Sequence, residues 1–352
     1  RNAENPKTVT TLVATDFSKA FDRIDHGLAV RKLLEMGASP SLVAWISSFL
    51  SNREQCVRYM SQLSDWMEIS AGAPQGTRLG PLIFLCIIND VFKDSDVQCW
   101  KYVDDLSLLE CRKATDQPKI QEVVHELEKW TKDNSMKLNP SKCVVMNIMI
   151  QFMRNQAIVP KVKIGDLEIS EVQLVKLLGV FVQEDLKWSY HVTEMVKAAS
   201  MRLHMMRILK GFRLPVEDLK VVYCSYVRPK VEYCAPVWHS GLTRADKKLI
   251  ERIQKRACRL MLGQRYTSYD DALNVLDLPT LEERRERLTK KFASNLTKET
   301  SPFYHWLPPT RASRTSRNLR NAKDYSEIKC KNERYRKSAL PFIVRLLNSK
   351  LE

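Results

Sequence analysis

The sequence predicts an α+β fold: a mixed α/β half, then a helical half that ends in a basic segment. Three observations carry this reading. Short apolar runs bounded by turn residues dominate the chain up to Asp185. Beyond it, apolar residues recur at three- and four-residue steps, the spacing of one helix face. Basic residues fill the positions between them, and the 352-residue chain carries a formal net charge of +16.

Residues 9–15 read as a buried strand that ends at Asp16. Residues 28–36 form a helix closed by Gly37, and Ser39 with Pro40 opens a second. Residues 54–60 and 66–70 pair as strands. Residues 71–80 hold three glycines and a proline and lead into an apolar helix over 81–92. Two apolar runs, 97–103 and 106–109, flank Asp104 and Asp105 as strand, tight turn and strand. An amphipathic helix covers 117–134, and 143–150, 161–169 and 176–182 are strands. Helices follow over 191–210, 216–226 and 245–262, and Thr280 with Glu283 makes a capping box for another. Residues 311–337 are basic and poor in large apolar side chains. No fixed-period repeat is apparent.

Composition narrows the function. Hydrophobic content of 44% and charged content of 28% are those of a globular protein. The positive excess implies an anionic partner, either nucleic acid or an acidic membrane face. The longest apolar stretch, 79–88, contains Gly80 and Pro81 and is too short to span a bilayer. Nine scattered cysteines without a CxxC pair argue against a disulfide framework and a structural zinc site, and read as free thiols in a reducing compartment. No signal peptide opens the chain; residue 1 is Arg, and a strand-like run begins within ten residues, as expected of a fragment with an upstream part missing.

Four segments carry the chemistry. Asp104 and Asp105 sit at a hairpin tip, where hard oxygen ligands suit Mg²⁺ better than zinc; the alternative is a solvated turn, since Asp favours turns. Asp16 ends a strand. If it faces the hairpin, three carboxylates converge and two Mg²⁺ ions fit the needs of phosphoryl transfer; otherwise it caps the next helix. In the 73–81 loop, glycines permit close backbone approach to a ligand and Gln75 offers an amide for a sugar or base; the plain alternative is an ordinary loop. Lys142 precedes a strand and by itself reads as solvated. Asp22, Asp25 and His26 read as turn and helix-cap residues, with no second His at metal-ligand spacing.

Taken together and in this order, these segments resemble reverse transcriptases of LINE-type, non-LTR, jockey-like retrotransposons. Asp16-Phe17-Ser18-Lys19-Ala20-Phe21-Asp22 is similar to polymerase motif A. Ala73-Pro74-Gln75-Gly76-Thr77-Arg78-Leu79-Gly80-Pro81 is similar to motif B, Tyr102-Val103-Asp104-Asp105 to motif C, and Lys137-Leu138-Asn139-Pro140-Ser141-Lys142 to motif D. Leu177-Leu178-Gly179-Val180 resembles the primer-grip hairpin, and the segment 250–258 also resembles these elements.

The resemblance implies a right-hand palm over 1–185, an antiparallel sheet with helices, then a helical thumb over 186–265 and a partly flexible basic helical region over 266–352. It implies RNA-directed DNA polymerase activity with two Mg²⁺ ions, or Mn²⁺ in their place, on Asp16, Asp104, Asp105 and the Phe17 backbone. Phe21 stands where the family carries an aromatic gate against a ribonucleotide 2′-hydroxyl; packing in the core is the alternative. Gln75 and Gly76 would contact the incoming nucleotide. Lys142 would donate a proton to pyrophosphate or act purely by its charge. Lys and Arg of the helical half, among them Arg207, Lys210, Arg252, Lys255 and Arg256, would follow duplex phosphates, against the alternative of a solvated helix face.

The implied partners are an RNA template, a DNA primer and deoxynucleoside triphosphates, with no membrane, in an intracellular ribonucleoprotein of nucleus or cytoplasm. The basic tail either binds RNA or is disordered. The family's fingers and endonuclease have no counterpart here, so a piece of a longer polyprotein or a decayed copy is expected. The competing readings are a non-catalytic nucleic-acid-binding remnant and an RNA-directed RNA polymerase. Phe21 and Val103 count against the latter, which favours a small or acidic residue and Gly at those positions.

Overall fold

The computed structural model describes residues 5, 7–93, 98–149, 157–311 and 324–349. The chain divides into two compact units, Asn2–Val175 and Lys176–Glu352.

In the first unit, elements follow as β1 (Thr8–Thr15), α1 (His26–Glu35), α2 (Pro40–Leu50), β2 (Glu54–Gln55), β3 (Arg58–Tyr59), β4 (Gln62–Leu63), β5 (Met67–Glu68) and α3 (Leu79–Ile88). Then come β6 (Gln98–Tyr102), β7 (Asp105–Lys113), α4 (Ile120–Asp133), β8 (Val144–Ile148), β9 (Lys163–Ile164), β10 (Leu167–Glu168) and β11 (Ser170–Glu171). A five-stranded sheet runs in the order β11-β8-β1-β7-β6. All neighbours in it are antiparallel except β8 and β11, which are parallel.

β1 is the centre of that sheet because of its period-two pattern. Val9, Thr11, Val13 and Thr15 are all buried. A buried hydroxyl needs a partner, and Thr11 Oγ1 donates to Asn147 Oδ1 at 2.8 Å. Asn147 Nδ2 in turn donates to Glu171 Oε1 at 3.0 Å, so polar groups tie three neighbouring strands together. Against the sheet pack Ile24, Leu50, Ile83, Phe84, Ile87, Ile120 and Leu127, drawn from helices and the turn after β1. Lys32 is buried among them and is matched rather than stranded: its Nζ stands 2.6 Å from Asp90 Oδ2 and donates to the Ile87 carbonyl at 2.9 Å. Trp130 Nε1 donates to Asp90 Oδ1 at 3.0 Å, which draws α4 into the same clamp.

Local chemistry sets the helix ends. Asp25 Oδ1 accepts from the Leu28 amide at 2.7 Å at the start of α1, and Gly37 ends it at φ +83°. Ser39 caps α2, with Pro40 in its first turn.

Four expected elements differ. The strand pair over 54–60 and 66–70 is two separate ladders, β2 with β5 and β3 with β4. Their residues are exposed, so no buried face holds one continuous register. The helix over 81–92 runs two residues earlier and stops at Ile88; Phe92, at φ +55°, cannot extend it. The strand over 161–169 is a hairpin, β9 and β10, folded at Gly165 with φ +58°. Of the strand over 143–150, Val144–Ile148 is formed and residue 150 lies outside the described residues, as does residue 97 of the hairpin run.

At the start of the second unit, β12 (Leu174–Leu177) spans the division and pairs with β13 (Val180–Gln183) as a hairpin, where a single strand over 176–182 is expected. Leu178 at φ +46° and Gly179 at φ +86° make its turn. Helices follow: α5 (Ser189–Gly211), α6 (Val216–Val222), α7 (Ala235–Trp238), α8 (Arg244–Leu262), α9 (Tyr269–Val275), α10 (Leu281–Leu296), α11 (Glu333–Arg336) and α12 (Ala339–Asn348). The helix expected over 216–226 leaves α geometry at Val222 and continues as a π turn over Tyr223–Val227. Capping boxes open α8 at Thr243 and α10 at Thr280. Val192, Leu203, Met206, Tyr223, Trp238, Ile250 and Ala257 centre its core. Gln254, fully buried, accepts from Tyr223 Oη at 2.6 Å and donates to Tyr269 Oη and the Pro279 carbonyl. Within the basic segment over 311–337, residues 312–323 lie outside the described residues. All nine cysteines are free. Among the described residues no helix is long and apolar enough to cross a membrane.

Gly72 is the tightest backbone approach in the first unit. It sits at φ +93°, and a Cβ there would meet Asp22 Cα and O at 3.0 Å. Gly72→Ala is expected to destabilise the chain by about 1–3 kcal/mol, read as a lower urea midpoint.

Candidate active site

β1 delivers Asp16 and β7 begins at Asp105. The last paired positions are Thr15 with Leu106, so the next residue on each strand is an aspartate. On the other side of β7, Tyr102 pairs with Asp105, which leaves Val103 and Asp104 as a two-residue turn. Val103 is held at φ +55°, a region that β-branched residues avoid. Strain of this kind persists only where the surroundings impose it.

Asp105 senses the other two carboxylates. Burial, and then the negative charges of Asp104 and Asp16, raise the Asp105 pKa above the ordinary 3.8. Oδ2 of Asp16 is buried and accepts no hydrogen bond among the described residues. The exposed ammonium of Lys142 stands 3.7 Å from it. The donor set is hard oxygen, which fits a divalent cation such as Mg²⁺. The convergence expected from sequence is one of strand ends, however. Among the described residues no three His, Cys, Asp or Glu side chains are gathered closely enough to hold a metal ion as they stand.

A second segment runs alongside Asp16. Phe17 bridges Leu138 in antiparallel fashion, with the Asn139 amide donating to the Asp16 carbonyl at 2.8 Å and the Ser18 amide to the Lys137 carbonyl at 2.7 Å. Neither bond uses the Phe17 carbonyl. This pairing holds the Lys142 loop beside Asp16. Cys143 completes the contact: the Asp16 amide donates to its Sγ at 3.3 Å. Burial pushes the Cys143 thiol pKa up, so it stays a neutral neighbour. Sequence reasoning missed Cys143; its only signal was its place directly after Lys142.

Phe17 points its ring into the core, 6.4 Å from Trp130. Phe21 is half-buried and tilted against the fully buried Phe84 at 5.0 Å. The Phe21 carbonyl accepts from the Ala73 amide at 3.0 Å and the Ile24 carbonyl from the Gly72 amide at 2.7 Å, which brings the Gln75 loop to the turn after β1. Gln75 Nε2 donates to Asp22 Oδ1 at 3.3 Å, and Gly76 turns at φ +78°. His26, expected as a cap, donates from Nε2 to the Gly72 carbonyl at 2.8 Å, while Asp25 is the cap itself.

Beside this loop lies a cleft of about 840 Å³. Lys19, Arg23 and Arg53 line it together with Asp22 and Gln75. The three cations were not singled out in the sequence, because they are spread over a turn, a short helix and a ladder that only folding assembles. Lys101 is a further omission. From β6 its Nζ donates to the carbonyls of Ile88, Asn89 and Val91 at 3.4, 3.1 and 2.7 Å. A cation there satisfies orphan carbonyls beyond α3 and opposes the negative end of its dipole. Through it α3 joins the Gln75 loop, at its start, to the strand that leads into Asp104 and Asp105.

In the second unit, Lys248, Arg252, Lys255, Arg256 and Arg259 are exposed along α8 at helical spacing. Lys255 lies over the Tyr269 ring at 4.8 Å, and Arg256 donates to Ser200 Oγ at 3.0 Å. On α5, Arg207 is exposed, whereas Lys210 donates to the Leu260 carbonyl and so binds α5 to α8.

This strand-turn-strand of carboxylates beside a glycine loop is accompanied by a family match. Residues 1–182 match the family described as "Reverse transcriptase (RNA-dependent DNA polymerase)", and the chain belongs to that family. Within it the chain is of the LINE-type, non-LTR kind. It is 24% identical over 325 residues to the probable RNA-directed DNA polymerase from transposon BS of Drosophila melanogaster, covering 89% of this chain and 35% of that protein. It is 24% identical over 294 residues to the RNA-directed DNA polymerase from mobile element jockey of the same fly, covering 80% of this chain and 31% of that protein. The chain thus spans about a third of the length of these relatives. Among solved structures, apo telomerase from Candida tropicalis is similar over 82% of this chain and 48% of that one, at 13% identity and a TM-score of 0.42, too loose a likeness to bear on function.

The raised Asp105 pKa has a consequence for stability. A carboxyl whose folded pKa exceeds its unfolded one binds more protons folded than unfolded, so stability falls as pH rises from 3.8 through the folded value. Asp105→Asn is therefore expected to raise the urea midpoint at pH 7, modestly because the side chain is exposed to solvent. That gain is expected to vanish below pH 3.8, which a pair of urea titrations reads directly.

Proposed function

We propose that the chain is the polymerase portion of a retrotransposon RNA-directed DNA polymerase, copying an RNA template onto a DNA primer from deoxynucleoside triphosphates. In this reading residues 1–185 are the palm, 186–265 the thumb and 266–352 a basic region that accompanies nucleic acid. The observation that carries it is the juxtaposition of Asp16, Asp104 and Asp105 at adjacent strand ends, where the charges of Asp104 and Asp16 act on Asp105.

Asp16, Asp104 and Asp105 would hold two Mg²⁺ ions, or Mn²⁺, with the Phe17 carbonyl. Bound there, the ions supply Lewis acidity that eases loss of the primer 3′-hydroxyl proton and offsets charge on the departing pyrophosphate. The chain's own residues do the positioning. Lys142, ion-paired with Asp16 and exposed, would neutralise the leaving phosphates, by charge or by giving up a proton. Phe21, braced by Phe84, presents a fixed ring to the sugar and excludes a 2′-hydroxyl by bulk. Gln75, oriented by Asp22, offers its amide to the incoming nucleotide, while Gly76 lets the backbone approach. Lys19, Arg23 and Arg53 supply cationic walls for a triphosphate. The exposed α8 stripe supplies phosphate contacts to the duplex, with Arg252, Lys255 and Arg256 at its centre.

A second reading is a nucleic-acid-binding remnant without catalysis. It is favoured by the absence of a closed cluster of metal ligands among the described residues.

Primer extension on an RNA template separates the two. Mg²⁺-dependent extension is expected, and Asp104→Asn is expected to reduce its rate at least on the order of 100-fold. Phe21→Val is expected to raise the use of ribonucleotides relative to deoxynucleotides. Salt-sensitive binding with no extension, in a chain carrying all of its element's polymerase sequence, would establish the remnant instead. For the basic stripe, replacing Arg252, Lys255 and Arg256 by Gln is expected to flatten the dependence of log affinity on log salt by about one for each phosphate no longer neutralised.

A further inference from the structure

In the polymerase reading the Gln75 loop and the Asp104–Asp105 turn serve one reaction, so the spacing between them matters. They lie on different elements of the first unit: the loop precedes α3, and the turn joins β6 to β7. α3 has ten residues, which makes a rod about 15 Å long. Both of its ends are tied by side chains that the reaction itself does not use.

At the start the tie is Thr77. Its Oγ1 donates to the Pro74 carbonyl at 2.7 Å and accepts from the Gly80 amide at 3.2 Å. One hydroxyl thus satisfies an amide of the first turn and holds the loop against it. The fit is close: a Cβ on Gly80 would come within 3.3 Å of the Pro74 carbonyl oxygen.

At the far end the tie is Lys101. The chain turns back after α3, with Phe92 at φ +55°, and the carbonyls of Ile88, Asn89 and Val91 converge on Lys101 Nζ. An ammonium has three donors, so Lys101 spends its full donor capacity there. The neighbouring Ile87 carbonyl is taken by Lys32, which also pairs with Asp90, so this end of α3 is fixed to α1 as well.

β6 needs such a tie. It is an edge strand with β7 as its neighbour in the sheet, and Gln98, Trp100 and Tyr102 are exposed. Burial therefore holds it weakly. Lys101 pairs with Leu106, one position before Tyr102 and Asp105 close the turn, so the anchor is made beside the strained Val103 and Asp104.

We propose that Thr77 and Lys101 are positioning residues for nucleotidyl transfer: one at each end of α3, they make that helix a strut that fixes the Gln75 loop relative to the Asp104–Asp105 turn. Both act through the helix and neither contacts substrate. The inference rests on the polymerase reading, in which the loop holds the nucleotide and the turn holds the metal ions; a small misplacement of one against the other is costly to the rate.

Primer extension in a chain carrying all of its element's polymerase sequence tests it. Lys101→Met and Thr77→Val are each expected to lower kcat by about tenfold, with little change in the KM for deoxynucleotide. Lys101→Arg, which keeps a cation with donors for the carbonyls, is expected to restore most of the rate. Because both residues act through one helix, the double variant is expected to lose no more than the worse single variant, whereas independent losses would multiply to about 100-fold. A second measurement needs no catalysis: amide hydrogen exchange over residues 98–106 is expected to quicken in Lys101→Met and not in Lys101→Arg. Losses that multiply, or exchange that is unchanged, overturn the proposal. So does a lower urea midpoint with kcat intact, since Lys101 would then serve folding alone. Absence of extension by the unaltered protein refutes the polymerase reading, and the exchange comparison then decides the strut by itself.

Discussion

The pairing of β1 with β7 is the constraint on which the first unit depends. Eight residues of β1 lie across β7 in one antiparallel register from Thr8 with Lys113 to Thr15 with Leu106. A slip by one position would turn Val9, Thr11, Val13 and Thr15 out of the core. It would also move Asp16 away from Asp105. Core burial therefore enforces the geometry of the carboxylates: apolar packing, which is indifferent to charge, holds like charges at neighbouring strand ends. The pKa of Asp105 is raised first by its desolvation and then by the charges of Asp104 and Asp16.

Around this pairing the unit uses polar contacts for positioning. Lys32, Asp90 and Trp130 clamp three helices together. Lys101 fastens the end of α3 to the hairpin strand. The Phe17–Leu138 bridge holds the Lys142 loop against Asp16, and the Gly72 contacts hold the Gln75 loop against the turn that carries Phe21. Each is a local bond whose consequence is felt at the candidate site. The second unit is organised differently. Its core is a stack of helices with a satisfied Gln254 at the centre, and its charge is displayed along α8.

The legibility of the sequence followed physical locality. Asp25 and Ser39 as caps, Gly37 as a stop, and the Thr280 box depend on neighbours within one turn, and each is in place. The elements misread were those with weak periodicity. The hairpins at Gly165 and Gly179 were hidden because their apolar residues run on through the turn. The exposed ladders over 54–68 bury no face, so no pattern set their pairing. The candidate residues Asp16, Gln75, Asp104, Asp105 and Lys142 stood out by motif, whereas Cys143, Lys101, Lys19, Arg23 and Arg53 did not.

What the sequence by itself determined is the family, the order of elements and the chemistry on offer: hard carboxylates, a glycine loop, an aromatic at position 21 and a basic helical half. Those are matters of residue type and short spacing. Tertiary structure alone decided which of them meet. Asp16 finds Asp105 only because two strands far apart in the chain share a register. Lys210 becomes a bolt between helices, and the cations of the cleft gather from separate elements. Long-range contacts of this kind leave no local trace, because they are set by how apolar faces close upon one another rather than by any neighbour in the chain.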